Sequence, residues 1–317
     1  MSRAVIINLV PEFQAVVASA DPEDAYRVYL ERHRPVLASY WHNYVIDLGT
    51  PGTDDVIRTT LRADRRDAER LNGLDLERIA AEALDLAAAA LELDQELDCY
   101  IMVGVGAANA GELVIGGRGA VFVCIEHFTG RANPETFGLG LDPALLPLWI
   151  AHEVAHVVRY CSPASRADMR RLIAESGGGY DCWELASRAS LREQLVNEGV
   201  AIHASRAVLP GRPEEDYLGF SRRQYRRLRE QEAFLVRTAE PELERTGLGL
   251  RLRYLTGGLP PAARQVQGRV LPERSGYYLG ARMTEALALQ RGVAFAARAA
   301  ALEFMDAAGE HERMASA

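Results

Sequence analysis

Hydrophobic and polar positions follow helical spacing over the first third of this chain. Apolar side chains recur every three or four positions across residues 12–48, which predicts helices with one buried face. Residues 54–72 are dense in charge and predict a solvated helix. Residues 74–97 interleave Ala and Leu with acidic residues, as a long amphipathic helix does. We therefore expect the region 1–97 to be helical and to pack on a core formed by the rest of the chain.

The pattern changes to short apolar runs after residue 97. Residues 98–105 and 120–128 are of β type, 112–115 is a weaker candidate strand, and glycines between them predict turns. These features predict a small sheet over 98–128. His127, near the end of the second run, is more often a structural histidine than a ligand.

Helical spacing returns in the second half of the chain. It predicts one helix over 144–160, another over 185–209 and a set of C-terminal helices over 214–308. We therefore predict an α+β fold that is mostly helical, in which the second region covers 98–317.

Composition and charge exclude several classes of function. The chain has 317 residues and a net charge of −8, which argues against a general role in binding nucleic acid or anionic membranes. No stretch reaches the ~20 apolar residues that a membrane span needs, and the N-terminal apolar run is too short for a secretory signal. The four cysteines show no C-x-x-C spacing, so we expect reduced, packed thiols in a cytoplasmic protein.

The strongest chemical motif is H-E-x-x-H, formed by His152, Glu153 and His156 within the apolar run of the 144–160 helix. Positions i and i+4 lie on one helix face about one turn apart, so the two imidazoles can bind a single ion. The glutamate beside them can reach a water molecule on that ion, which is the arrangement of zinc hydrolases. The alternative is a buried helix with two hydrogen-bonded histidines, which must find each polar group a separate partner.

A catalytic zinc site needs a third protein ligand. No histidine follows at the spacing H-E-x-x-H-x-x-G-x-x-H, which excludes the metzincin pattern. Glu198 is the best candidate, because Gly199 beside it permits close helix packing. Three other residues of the same part of the chain compete with it: Glu184, Glu193 and His203.

Three motifs together resemble a known group of proteins. They are the segments 152–156 (HEVAH), 197–201 (NEGVA) and 276–280 (GYYLG). The chain resembles the gluzincin class of HExxH zinc peptidases, and more closely a bacterial family described as predicted Zn-dependent proteases, a domain of unknown function. The resemblance covers most of residues 1–305, and only the first motif is highly specific.

The resemblance implies a gluzincin-like catalytic region over 98–317. By it, His152, His156 and Glu198 would bind Zn²⁺. Glu153 would serve as general base and then as general acid.

The resemblance also implies how a substrate would be held. Tyr277 would donate a hydrogen bond to the oxyanion, with Tyr278 as its rival. A peptide or protein substrate would lie along an edge strand near 121–128. Thermolysin-like enzymes place an acidic residue four positions after the glutamate ligand, where this chain has Ile202. The histidine partner would then be Asp181, Asp168 or a backbone carbonyl.

These observations favour a zinc metallopeptidase in which Glu153 takes a proton as water attacks the peptide carbonyl. The alternative is a zinc-containing binding or regulatory protein with little or gated peptidase activity. A helical scaffold without metal is a third hypothesis.

Overall fold

The computed structural model describes residues 4–63 and 71–305, and in that part of the chain it is mostly helical with a small mixed sheet. The helices are α1 (Val10–Val17), α2 (Pro22–Arg32), α3 (Arg34–Tyr44), α4 (Thr53–Arg62), α5 (Leu76–Leu91), α6 (Leu146–Cys161), α7 (Asp168–Glu175), α8 (Cys182–Arg188), α9 (Leu191–Val208), α10 (Glu214–Leu218), α11 (Arg222–Glu230), α12 (Glu232–Ala239), α13 (Leu248–Leu255), α14 (Ser275–Arg291) and α15 (Val293–Arg298). This confirms the predicted α+β class at the level of secondary structure.

The sheet has four strands in the order β1-β2-β4-β3. They are β1 (Ala4–Asn8), β2 (Leu97–Met102), β3 (Ala110–Ile115) and β4 (Arg118–Cys124). β1 and β4 both run parallel to β2, and β3 runs antiparallel to β4. Two short hairpins lie outside this sheet: β5 (Ala132–Asn133) with β6 (Gly138–Leu139), and β7 (Gln265–Val266) with β8 (Arg269–Val270).

A two-residue turn connects β3 to β4. Gly116 and Gly117 both have positive φ, at 58° and 80°, which a tight hairpin turn of the primed type requires and glycine adopts without strain. Gly116 and Gly117 therefore mark a turn, as predicted, whereas Gly111 lies within β3 and Gly119 within β4.

The expectation that an edge strand lies near 121–128 is wrong. β4 pairs with β2 on one side and with β3 on the other, and a 3-10 helix over Ile125–His127 follows it. From Gly119 to Cys124 every residue of β4 is buried. A continuous apolar run of this kind is typical of an inner strand covered on both faces. The outer strands of the sheet are β1 and β3.

The N-terminal region differs from the prediction in one respect. Its first described residues form β1, which joins the same sheet as the strands of the second region, with Ala4 opposite Leu97. The predicted boundary at 97/98 therefore falls inside β2. Helix α4, which ends at Arg62, forms the first part of the solvated helix predicted over 54–72, and residues 64–70 of that prediction lie outside the described part of the chain.

Helix α6 lies at the centre of the molecule. It packs on β3 and β4 with one face and on α5 and α9 with the others. The predicted helix over 185–209 is divided, because α8 ends at Arg188 and α9 begins at Leu191, with Ser190 accepting a hydrogen bond from the amide of Glu193 at 3.2 Å. The C-terminal helices predicted over 214–308 include α14 and α15.

No disulfide joins the four cysteines, all of which lie in the described residues. Within those same residues, no helix is both long enough and apolar enough to cross a membrane.

Candidate metal centre

The H-E-x-x-H motif lies on α6, whose start is well defined by the sequence. Asp142 accepts a hydrogen bond from the amide of Ala144 at 2.9 Å, and Pro143 opens a 3-10 turn that continues into the helix. From Leu148 to Tyr160 every residue of α6 is buried. The motif is therefore held on a helix whose whole circumference is covered by protein.

Three potential ligand atoms converge between α6 and α9. Oε2 of Glu198 lies 3.4 Å from Nε2 of His152 and 3.7 Å from Nε2 of His156. The side chains of the three residues are only 3%, 3% and 8% exposed. The Glu198 Oε2 atom has no hydrogen-bond partner in the described residues. This buried cluster can bind a metal ion.

The position of Glu198 depends on close packing of α9 against α14. A Cβ on Gly199 would lie 2.1 Å from the carbonyl oxygen of Gly280, and a Cβ on Gly280 would lie 2.1 Å from the carbonyl oxygen of Leu195. The two glycines therefore let the backbones of the two helices touch. The close approach expected from Gly199 is observed, with α14 as the partner helix.

The protonation states of the cluster suit a cation. Burial lowers the pKa of His152 and outweighs the neighbouring Glu198, so the imidazole is neutral. Burial alone would raise the pKa of Glu198, but the imidazoles of His152 and His156 lower it to about 2. Neutral imidazole and ionised carboxylate are the forms that bind metal ions.

Glu153 lies beside a second carboxylate, Glu112 of β3. Ligand atoms of Glu112, Glu153 and His156 all lie within 4.8 Å of one another. Burial raises the pKa of Glu153 well above its ordinary value, and the charges of Glu112 and Glu198 raise it further. Glu153 therefore holds a proton more readily than an ordinary glutamate, and its carboxyl group lies within reach of the histidine cluster.

Hydrogen bonds connect this carboxyl pair to three other elements. Tyr160 of α6 donates to Oε1 of Glu112 at 3.0 Å, and Tyr44 of α3 donates to Oε2 at 3.0 Å. Asn197, next to Glu198 on α9, donates to the Tyr160 hydroxyl at 2.8 Å. The network therefore ties β3, α3 and α9 to the helix that carries the histidines.

The two candidate tyrosines of α14 have different surroundings. Tyr277 stacks on His152 with ring centroids 6.3 Å apart. The guanidinium of Arg274 lies 4.3 Å from the centroid of the Tyr277 ring. Tyr278 instead donates to Oε2 of Glu232 at 2.8 Å and lines a separate cavity. Successive helix residues differ by about 100° in direction, so only one of the pair can face the cluster.

The competing ligand candidates lie elsewhere. Nε2 of His203 is 3.1 Å from the carbonyl oxygen of Ala281. Glu193 forms a fully buried ion pair with Arg159 at 2.7 Å. Glu184 pairs with a surface arginine of its own helix at 2.9 Å.

The two acids considered as partners of the histidine ligands do not reach them. Asp181 caps α8 and lies 3.1 Å from Nε2 of His42, and Asp168 pairs with a surface arginine of α7. The Nδ1 atoms of His152 and His156 are buried without a hydrogen-bond partner among the described residues. Ile202, where thermolysin-like enzymes have an acid, is fully buried.

His127 and the glycine loop near it have structural contacts. Nδ1 of His127 accepts a hydrogen bond from the amide of Leu139 at 3.3 Å. The carboxylate of Glu126 accepts from the amides of Gly104 at 3.0 Å and Gly106 at 3.2 Å. The backbone amides of Gly104 and Gly106 therefore bind a carboxylate of the same chain.

Sequence reasoning did not single out Glu112, Tyr160 or Arg251 as parts of the site. Glu112 gave a usable signal, because an acidic side chain inside a buried strand needs partners. Arg251, whose charge acts on Glu198, gave none, since all 36 basic residues of the chain are Arg.

Comparison with known proteins adds nothing to this geometry: no family model, no curated protein and no solved structure matches the chain.

Proposed function

We propose that this protein is a zinc-dependent metallopeptidase of gluzincin-like type. The observation that carries the proposal is the distance of Glu198 Oε2 from the two imidazole nitrogens of α6, 3.4 and 3.7 Å. Glu198 lies 42 positions or more after the two histidines in the chain, and the acid of the motif, Glu153, lies beside His156.

The donor atoms fit a zinc ion. Ligands at 2.0–2.1 Å in tetrahedral geometry are about 3.4 Å apart, close to the distances between Glu198 Oε2 and the two Nε2 atoms. Two imidazole nitrogens and one carboxylate oxygen form a donor set that is used by catalytic zinc sites. When bound, the ion would supply Lewis acidity to a water molecule and to a substrate carbonyl.

The chain's own residues would then move the protons. Glu153 would accept a proton from the attacking water and return it to the leaving amine. Glu112, which lies beside Glu153, would help to position its carboxyl group. The Tyr277 hydroxyl would donate to the oxygen that develops negative charge. Tyr278 is a weaker candidate because its hydroxyl is bound to Glu232.

The proposal does not rest on strand addition by a peptide. The outward backbone groups of β3 already have partners: the Tyr44 hydroxyl accepts from the Glu112 amide at 3.2 Å, and the Val114 carbonyl accepts from the Tyr180 amide at 2.9 Å. A peptide could pair with this edge only after these contacts open.

The burial of the site favours a second candidate, a zinc-containing binding or regulatory protein with little or gated peptidase activity. The three ligand side chains are at most 8% exposed, and the neighbouring sheet edge is covered by Tyr44 and Tyr180. Both features restrict the approach of a polypeptide.

One experiment separates these candidates from a scaffold without metal. The purified protein is analysed for metal content and is assayed on a peptide library before chelation, after chelation and after zinc is restored. A peptidase has one zinc per chain and activity that follows the metal. Stoichiometric zinc without cleavage supports the regulatory protein, and absence of zinc contradicts both.

A further inference from the structure

Arg251 on α13 faces the region where α9 and α14 meet. A Cβ on Gly276, the residue before Tyr277, would lie 2.6 Å from Cδ2 of Leu255 and 2.9 Å from Cδ2 of Leu195. Leu255 therefore packs into the junction that carries both the glutamate ligand and the tyrosine. Arg251 is four residues before Leu255, so it lies on the same face of α13, one turn away.

The charge of Arg251 reaches the metal centre. Burial has the largest effect on the pKa values of Glu198, Tyr160 and Tyr277, but in each case the positive charge of Arg251 lowers the pKa. These three residues belong to α9, α6 and α14, which surround the ligand cluster. Charge effects weaken with distance, so a guanidinium that acts on all three lies in the same part of the molecule as the cluster, together with Tyr180 and Cys182, whose charges act on it most strongly.

The guanidinium of Arg251 has no partner of its own in the part of the chain that the structure describes. No hydrogen bond or ion pair joins it to any residue in 4–63 or 71–305, although it is half-buried. Arg253, two positions later, forms an ion pair with Glu242 at 3.0 Å. Arg274, also near the centre, stacks on Tyr277 and Phe220. A half-buried charge without a partner is costly, and a planar fork of five donors is well suited to a carboxylate.

We propose that Arg251 is a specificity-determining residue that binds a carboxylate of the substrate peptide next to the metal centre. The inference rests on the proposed peptidase function and extends it to the class of substrate. Two parts of a peptide supply this chemistry, its terminal carboxylate and an Asp or Glu side chain, and the test distinguishes them.

The test compares matched peptides on the zinc-loaded full-length protein. One pair carries the same sequence as the free acid and as the C-terminal amide. A second pair, amidated, carries Asp or Asn at a position flanking the cleaved bond. The wild type is expected to prefer one carboxylate peptide by about 10- to 100-fold in kcat/KM, chiefly through KM. The pair that shows the preference identifies the source of the carboxylate.

Three variants locate the preference. Arg251→Gln is expected to bring the kcat/KM ratio of the preferred pair close to one, and Arg251→Lys to keep part of it because the charge remains. Arg253→Gln is the matched control on the same helix, and it should keep the full ratio since its guanidinium is bound to Glu242. Zinc content and the unfolding midpoint show that each variant is folded and loaded.

Failure of this inference is distinct from failure of the proposed function. Cleavage with no preference between either pair, or a preference that survives in Arg251→Gln, overturns the inference and leaves the peptidase intact. If no peptide is cleaved, the peptidase proposal fails, and calorimetric titration of the same peptides tests Arg251 directly. Tighter binding of a carboxylate peptide that is lost in Arg251→Gln supports the inference, whereas equal or absent binding overturns it.

Discussion

Gly199 and Gly280 meet where α9 crosses α14, and a Cβ on Gly199 would lie 2.1 Å from the carbonyl oxygen of Gly280. Because the obstacle is backbone and not a flexible side chain, the helices must separate to admit a methyl group. The contact lies one residue after Glu198, so it controls both the stability of the helix pair and the position of the ligand.

Gly199→Ala is therefore expected to destabilise the protein by about 3 kcal/mol, at the upper end for overpacking, despite the better helix propensity of Ala. Chemical denaturation measures the loss. Gly249→Ala is the matched control, since Gly249 lies in α13 with nothing within 4 Å of its added Cβ. That variant should be neutral or more stable by up to about 1 kcal/mol. Equal stability of the two variants would contradict the packing argument.

Glu153→Gln should keep zinc and lose hydrolysis, because Gln cannot accept the proton from water. His156→Ala should lose zinc, because two ligands bind the ion much more weakly than three. Elemental analysis and a peptide assay on the same samples measure both effects. A Glu153→Gln protein with full activity would refute the role of general base, and stoichiometric zinc in His156→Ala would refute the ligand set.

Tyr277→Phe should lower kcat by about 10²- to 10³-fold, the usual effect of removing one donor to an oxyanion. Its zinc content should be unchanged. Tyr278→Phe is the control, with the same atom removed from the neighbouring residue, whose hydroxyl binds Glu232. If the Tyr278 variant loses the activity and the Tyr277 variant keeps it, the assignment is reversed.

The ion pair of Arg159 and Glu193 has both side chains fully buried. Glu193→Gln would leave the buried guanidinium without a counter-charge, so we expect a loss of about 3–5 kcal/mol in the free energy of unfolding. Glu175→Gln makes the same chemical change in an exposed carboxylate that pairs with Arg171 and Arg188, and its effect should be much smaller because water solvates these groups. Both variants should retain the metal. Loss of zinc in folded Glu193→Gln would reinstate Glu193 as a ligand.

His42 links the end of α3 to the start of α8. The hydrogen bond that Nδ1 of His42 donates to Oδ1 of Asp47, at 2.5 Å, raises the pKa of His42, with Asp181 adding to the effect and burial opposing it. A pKa raised by folding stabilises the protein below the unfolded value of about 6.5, and the contribution disappears as the pH rises through the folded pKa.

The free energy of unfolding of the wild type should therefore exceed that of His42→Gln by more near pH 5.5 than near pH 8.5. The side chain is 38% exposed, so screening limits the difference to less than about 1 kcal/mol. A difference that grows as the pH rises would contradict the sign of this linkage.

The sequence by itself determined the local features of this protein. The spacing of His152 and His156 puts two nitrogens on one helix face wherever that helix lies, because 3.6 residues per turn is a property of the backbone. Apolar periodicity likewise predicted most of the helices, and the glycines at 116 and 117 predicted a turn.

Only the tertiary structure decided which distant residues join these local features. β4 is an inner strand because β2 pairs with it on the side opposite β3, and β2 in turn pairs with β1, which 88 residues separate from it in the chain. No local pattern encodes these pairings with β2. The contact of Glu112 with Glu153, the choice of Glu198 over Glu193 and the direction of Tyr277 also depend on how whole helices pack. Periodicity states which face of an element is buried, whereas packing of complementary surfaces decides what that face meets.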